Sequence, residues 1–529
     1  MKFSAVSVFL LLLLLLQWLP LLRCDGGYDD APPTVCIVGS GIGGASVAYF
    51  LRNYSVSGDG ARILMFERNG VVGGRMATVT IAGETFEAGA SILHPNNYHA
   101  RNFTEKFNLK IRSPSSSSSD DSSLGIWNGR EFIFKTLRAS FKSPLLNWIV
   151  SLMNDLYIFM RYGFSIFRMD AFIKIKGVRV ARCRFGFLSK QMFGSRAECR
   201  LIKDAVGNFL KYYESPETRP VFDTVEEMLK WSGLYNLTRR ALLEELSDAQ
   251  MSPLLANELI SVITRINYGQ NLLISGLAGA VSMAGSGGGL WAVEGGNWQM
   301  AAKLINHSDA MLHLNERIES ISYLGKYYEL NSTKGGSYIC NVTVVATPLD
   351  EVDIQFSPPT SIPKGELQHT HATFVRGLLN PGYFRLKSVL DIPKLVGTVE
   401  DPEIPFSSIS VLKRHDDNDM TYKIFSRKPM SDALLDDLFS VRKETVHIDW
   451  AAYPKYHAPE VFAPFVLDGN HLYYVNAFEN GASTIEMSAV AAENMARLII
   501  SRFPTKRSSS TSISEGKSSS DTRSFHSEL

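Results

Sequence analysis

The residues with the plainest chemical purpose lie near the start of the chain. Gly39, Gly41 and Gly44, in the stretch GSGIGG, form a G-x-G-x-x-G turn in which Gly43 fills one of the free places. The first glycine permits a sharp turn, the second bares the backbone to a pyrophosphate, and the third lets a helix close on a strand. A helix starting there aims unpaired N–H groups and its positive dipole end at phosphate. Glu67 ends the next apolar run, where a carboxylate suits a ribose diol, and Arg68 stands beside it. Glycine triplets also make plain turns. Here a strand pattern before, a helix pattern after and an acid on the next strand point to a dinucleotide. Gly73, Gly74 and Arg75 then offer a second bare backbone surface with a cation at its edge. His94 and His99, in SILHPNNYH, are the nearest candidates for proton transfer, although His94 would serve equally to order a loop. The sequence offers no C-x-x-C and no zinc-type ligand spacing.

These groups need elements to hold them. The apolar run 34–38 predicts a buried strand, 44–53 a helix and 62–66 a second strand. Residues 77–90 alternate like a hairpin around Gly83. Residues 113–123, SPSSSSSDDSS, read as an exposed loop. From 130 to 267 apolar positions recur three and four apart, as in helices; from 365 to 465 short strands dominate. SGGGLW has the glycines of a hinged lid, and Met283, Trp291 and Trp298 are aromatic or flexible residues suited to a ligand wall or to plain core. The chain closes with strand, turn, long helix and a Ser-rich tail. The expected class is α/β, a two-domain α+β arrangement: a Rossmann-type nucleotide domain with an inserted substrate domain of helices and a mixed sheet. The expected division is 33–130, 269–350 and 466–503 for the nucleotide domain, 131–268 for its helical insertion, 351–465 for the strand-rich part of the substrate domain, and 504–529 for the disordered tail.

The 529 residues carry a net charge of +1, which argues against nucleic acid as the main partner. Lys2 followed by the apolar run 3–22 reads as a secretory signal peptide ending near 24; left uncleaved, the same run would anchor the protein in a membrane. Asn53, Asn102, Asn236, Asn306, Asn331 and Asn341 stand in glycosylation sequons, of which Asn53 falls on a predicted helix and Asn341 opens a predicted strand. A glycoprotein of the secretory route, in the lysosome or vacuole, is the expected setting. The 5 cysteines are too few for a disulfide scaffold. Cys36 and Cys340 sit in apolar strand patterns and are expected to be buried thiols, while Cys183 and Cys199 are candidates for a bridge.

ERNGVVGGR, from Glu67 through the Gly73–Gly74 doublet to Arg75, resembles the second-strand acid and GG doublet of the amine-oxidase and phytoene-desaturase group of flavoproteins. EAGASILHP from Glu87, VEGGNWQMAAKLI from Val293 and VTVVATP from Val342 resemble further FAD-side elements of that group. The likeness implies FAD. It extends loosely to the C-terminus, where Glu479 and the residues near Glu486 take the place of a missing G-D/E element. Members that bind flavin covalently carry a cysteine near the C-terminus; none follows Cys340 here, so the FAD is expected to be non-covalent.

A leader, VGSGIGGASVAYFLR, GVVGGRMATV, EAGASILHPNNYH and VEGGNWQMA together look like the prenylcysteine oxidase (prenylcysteine lyase) family, and most like its plant members, over about residues 33–503. The resemblance implies a substrate: a cysteine carrying a farnesyl or geranylgeranyl thioether, left by degraded prenylated proteins. It also implies the chemistry. Hydride leaves the isoprenoid carbon next to sulfur for the flavin, water adds, and the product collapses to a prenyl aldehyde and cysteine. Dioxygen takes up the electrons as hydrogen peroxide. Such a reaction needs no nucleophile set, and 7 Trp, 20 Tyr and 30 Phe are enough to line an apolar slot. Two other readings share these residues: an amine oxidase or isoprenoid desaturase on the same fold, and a secreted flavin- or lipid-binding protein without turnover. Membrane association, through the substrate or the N-terminus, goes with the family reading.

Overall fold

The computed structural model describes residues 32–55, 60–112, 123–137, 143–166, 205, 207–215, 217–286 and 289–503. The expected signal segment, the cores of the serine loop and tail, and Cys24, Cys183 and Cys199 lie outside them.

Strand β1 (Thr34–Val38) is TVCIV, apolar on both faces, as a parallel strand covered on both sides must be. Helix α1 (Ile42–Tyr54) follows directly and buries nearly all its residues to Leu51. Strand β2 (Arg62–Glu67) returns parallel to β1. Strands Val342–Val345, Leu472–Tyr474 and Met311–Leu314 complete a parallel sheet of five, with β1 at its centre. Helix α1 covers it together with the C-terminal helix Ile485–Arg502 and the helix Trp298–His307. The nucleotide domain is therefore gathered from three separated parts of the chain.

The second large sheet has seven strands. Its two longest, Leu367–Leu379 and Phe439–Pro454, pair antiparallel along their whole length. At its other end the hairpin of Leu124–Trp127 and Phe132–Lys135 joins it, and the first of these runs parallel to Leu395–Thr398, making the sheet mixed. The strand-rich unit thus recruits residues on both sides of position 130. Helices including Val225–Ser232, Leu242–Asp248 and Ser261–Tyr268 lie in the expected helical block, and with the helix Gly276–Ala284 beyond it they share one apolar core with the nucleotide domain. A separate cluster around Trp127, Phe384 and Phe406 supports the large sheet.

One expectation is corrected. Cys36 and Cys340 are not free thiols but a disulfide, with Cα atoms 5.9 Å apart. Val35 lies opposite Val342 in the parallel pairing, which brings Cys340, two residues before Val342, beside β1. No local pattern could reveal a neighbour 304 residues away.

Candidate active site

Between the two sheets lies a cavity of about 440 Å³, lined by the first glycine turn, the second glycine turn and the facing strands of the large sheet. Gly39, with φ +112°, turns the chain off β1; a Cβ there would lie 2.5 Å from the Ala346 carbonyl oxygen. Gly44 packs helix on strand so closely that a Cβ would meet the Gly39 carbonyl oxygen at 2.1 Å. Gly41 and Gly43 instead face the cavity, and the nearest atoms to a Cβ on Gly41 are 3.9 Å away. Helix α1 starts at Gly41 with no side-chain cap and no acid in its first turn, so its N–H groups remain free for an anion. The Gly73 N–H donates to the Ser40 carbonyl oxygen at 3.1 Å, and Gly41 and Gly73 form a parallel bridge. The two turns thus make one continuous cradle.

Glu67 lines the same cavity. Its Oε2 accepts from the Ser40 N–H at 3.1 Å and the Ser40 hydroxyl at 2.6 Å, and its Oε1 accepts from the Asn69 N–H at 2.9 Å. A carboxylate so held still has accepting capacity for a diol. Arg68, Gly74 and Arg75 line the cavity too. Arg75 donates to the Ala452 carbonyl oxygen at 2.8 Å and forms an ion pair with Glu479. Glu479 also accepts from the Ser483 hydroxyl at 2.6 Å and the Asn476 amide at 2.9 Å. The loosest of the sequence candidates is thereby joined to the second glycine turn across 404 residues. Glu486 lies elsewhere: it accepts the His99 and Ala100 N–H groups at 2.8 and 3.0 Å, so it anchors the start of the Tyr98–Lys106 helix.

Neither histidine of SILHPNNYH lines the cavity. His94 Nδ1 accepts from the Asn96 N–H at 3.1 Å, its carbonyl oxygen accepts from Trp291, and burial lowers its pKa. These contacts order the loop. His99 is buried with Nε2 3.4 Å from Glu493. Met283 and Trp291 are core, and Trp298 packs over Gly73. SGGGLW lies partly outside the described residues. Glu87 pins the segment that forms the cavity floor: its Oε1 accepts from the Asn297 N–H at 2.7 Å, and Asn297 donates onward to the Ala90 carbonyl oxygen at 2.9 Å. Burial pushes Glu87 up to about 7 and brings Lys423, which donates to the Glu87 carbonyl oxygen at 3.1 Å, down to about 8.

Three cavity residues escaped the sequence reading. Asn476 Oδ1, Thr370 Oγ1 and Trp450 Nε1 are buried and without a hydrogen-bond partner, although buried polar atoms are normally paired. Thr370 and Trp450 stand opposite each other on the two long strands. Both are ordinary strand residues until the pairing is known, so no sequence signal singles them out. The same holds for His369 at the rim, whose Nδ1 lies 3.0 Å from Asp449 and Nε2 3.3 Å from Glu351. Asp449 first, and Glu351 after the opposing effect of burial, raise its pKa. Beside it the wall is apolar: Ile354, Leu367, Phe425 and Tyr453. Tyr453 packs edge-on against Tyr268 at 4.9 Å, and burial keeps both phenols protonated. A phosphate cradle, a diol-holding acid and an apolar wall in one cavity fit a flavin dinucleotide with an apolar substrate.

A family model described as prenylcysteine lyase matches residues 193–512, and one for an NAD(P)-binding Rossmann-like domain matches residues 37–107. The chain is 64% identical to the farnesylcysteine lyase of Arabidopsis thaliana, over 97% of each chain. It is 31% identical to prenylcysteine oxidase 1 of Homo sapiens, over 92% of this chain and 93% of that one. Among solved structures, putrescine oxidase bound to putrescine is similar with a TM-score of 0.55 at 14% identity, covering 89% of this chain and 99% of that one. Cyclohexylamine oxidase from Brevibacterium oxydans is similar with a TM-score of 0.53 at 15% identity, over 89% of this chain and 99% of that one. At such identity these two structures establish the fold.

Proposed function

The chain belongs to the prenylcysteine lyase family, and on that footing we propose that it is an FAD-dependent thioether oxidase acting on prenylcysteine. Prenylcysteine, water and dioxygen would give cysteine, a prenyl aldehyde and hydrogen peroxide, with farnesylcysteine the favoured substrate. The observation that carries this reading is the meeting, in one cavity, of both glycine turns with an apolar wall on the large sheet. When bound, FAD supplies the two-electron oxidation and its dioxygen-linked turnover. Gly41, Gly43, Gly73 and Gly74 would hold the pyrophosphate, Glu67 the ribose, and Arg75 with Glu479 the far part of the dinucleotide. No cysteine lines the cavity among the described residues, which supports non-covalent binding.

The protein's own residues bind, orient and exclude water. Ile354, Leu367, Phe425 and Tyr453 give the isoprenoid an apolar surface, and each buried CH₂ contributes about 0.8 kcal/mol. The amino acid head is zwitterionic. Glu351 and Asp449, the carboxylates that flank His369 at the rim, suit its ammonium. That assignment leaves the thioether between a charged mouth and an apolar wall. The N-terminal apolar run and the sequons support a glycoprotein of the secretory route, in the lysosome or vacuole. Asn53, Asn102, Asn236 and Asn306 are exposed, so they are the better acceptors; Asn341 is engaged by the Thr34 N–H at 2.8 Å.

The test is anaerobic mixing of the flavin-loaded protein with farnesylcysteine. Bleaching of the yellow oxidised band, then recovery with farnesal and peroxide on admitting air, is the expected result. A band that persists overturns the substrate assignment. Bleaching by amines instead would point to an amine oxidase, and bleaching by nothing to a flavin-binding protein without turnover.

A further inference from the structure

The helix Pro144–Tyr162 is amphipathic in the reverse of the usual sense. Asn154 and Arg161 turn toward the protein. Asn154 brackets the backbone of Leu137, accepting its N–H at 2.7 Å and donating to its carbonyl oxygen at 2.9 Å. Arg161 forms a two-pronged ion pair with Glu258, both bonds 2.7 Å. Asp155 is half-buried, and desolvation raises its pKa. The outward face is apolar: Leu145, Trp148, Ile149, Leu152, Leu156 and Met160 recur three and four apart and range from 38% to 75% exposed. Of the charged residues of the helix, Arg161 lies off that face, and Asp155 stands at its edge, two turns after Trp148. Soluble proteins rarely expose so continuous an apolar stripe without covering it in use.

We propose that this face docks on the surface of an anionic lipid bilayer, with the helix lying in the interfacial plane. No described helix is long and apolar enough to cross a membrane, so the contact is with one face. The aromatic Trp148 and Tyr157 are suited to the headgroup boundary. The charge at the edge of the stripe is also appropriate. A groove of about 710 Å³ runs beside the helix, walled by Met153, Leu156 and Met160, and its charged lining is Lys135, Arg385 and Glu131, two cations to one carboxylate. An apolar stripe beside a groove with more cations than carboxylates matches acyl chains beneath anionic headgroups. The choice of a bilayer over another occupant also draws on the proposed substrate, an amphiphile that partitions into membranes. Docking would keep the protein where that substrate collects.

The experiment uses the full-length flavin-loaded protein. Hydrogen exchange over residues 143–164 is followed with and without vesicles of phosphatidylcholine, or of phosphatidylcholine with phosphatidylserine. Slower exchange in that segment with vesicles is expected, more so with phosphatidylserine. In flotation assays Ile149→Glu/Leu152→Glu/Leu156→Glu should reduce vesicle binding at least tenfold. Lys135→Glu/Arg385→Glu should cost about fivefold per cation on anionic vesicles and little on neutral ones. Unchanged melting temperature and flavin content certify that the variants fold. Exchange over 143–164 that ignores vesicles overturns the proposal, even if the protein floats through its N-terminus. Protection that instead rises with protein concentration assigns the face to a second copy, and vesicle-independent protection at all dilutions assigns it to another part of this chain; both also overturn it. Farnesylcysteine turnover in vesicle-free buffer is measured alongside and tests the enzymatic reading separately.

Discussion

At the residue scale, glycines of one motif have different duties. Gly39 is needed by the fold, since φ +112° and a Cβ 2.5 Å from the Ala346 carbonyl oxygen leave no room for a side chain. Gly41 is needed by the ligand, since its surroundings are open within the cavity. Gly39→Ala should therefore cost stability, more than about 1 kcal/mol, as read by chemical denaturation of the flavin-free protein. Gly41→Ala should leave that denaturation within about 0.5 kcal/mol of the parent while weakening flavin retention by about tenfold, or 1.4 kcal/mol. Equal loss of stability in the two variants would refute the division. The motif and Glu67 were legible because a short stretch of chain carries both the turn and its purpose. Thr370, Trp450 and His369 were not, because their meaning comes from the strand opposite.

At the scale of elements, the site is built from ends. The N-terminus of α1 faces the cavity, and so does that of the C-terminal helix Ile485–Arg502. Thr484 caps the latter, its hydroxyl accepting the Met487 N–H at 2.9 Å. Thr484→Ala should cost about 1 kcal/mol, with Thr484→Ser restoring most of it; the denaturation midpoint is the measurement. Both helices were visible in the sequence from their apolar spacing. The helices described between 143 and 268 match the apolar spacing read there, whereas the hairpin at 124–135 joins the large sheet through partners far along the chain. Such pairing leaves no trace in the period of either strand.

At the scale of the molecule, two long-range ties close the nucleotide domain. The disulfide Cys36–Cys340 joins β1 to the strand region some 300 residues later. Cys36→Ala/Cys340→Ala should cost about 2–5 kcal/mol, and reductant should lower the melting temperature of the parent but not of the variant. The second tie is buried Glu493 on the C-terminal helix, which meets Arg219 at 2.6 Å, His99 at 3.4 Å and the Tyr54 hydroxyl. Desolvation raises its pKa, but His99, Arg219 and Tyr54 outweigh it and bring the group from 4.5 to about 2. A carboxylate lowered in the folded state lends stability above pH 4.5 and loses it as pH falls toward 2. Glu493→Gln should lower stability at neutral pH by about 3–5 kcal/mol, since it leaves a buried arginine unpaired, and should flatten the acid limb between pH 4.5 and 2. An acid limb of unchanged slope would remove Glu493 from that role.

The sequence by itself determined the dinucleotide turn, its acid, the second glycine turn and the alternation of helical and strand-rich blocks. Each is local: a few adjacent residues, or one period, hold the whole signal. Only the tertiary structure decided which residues finish the site. It brought Glu479 to Arg75, set Thr370 opposite Trp450, moved His94 to a loop-ordering role off the cavity, and joined two cysteines that their own strands present as simple core. These outcomes depend on which strands pair and in what register, and that follows from burial summed over the whole chain.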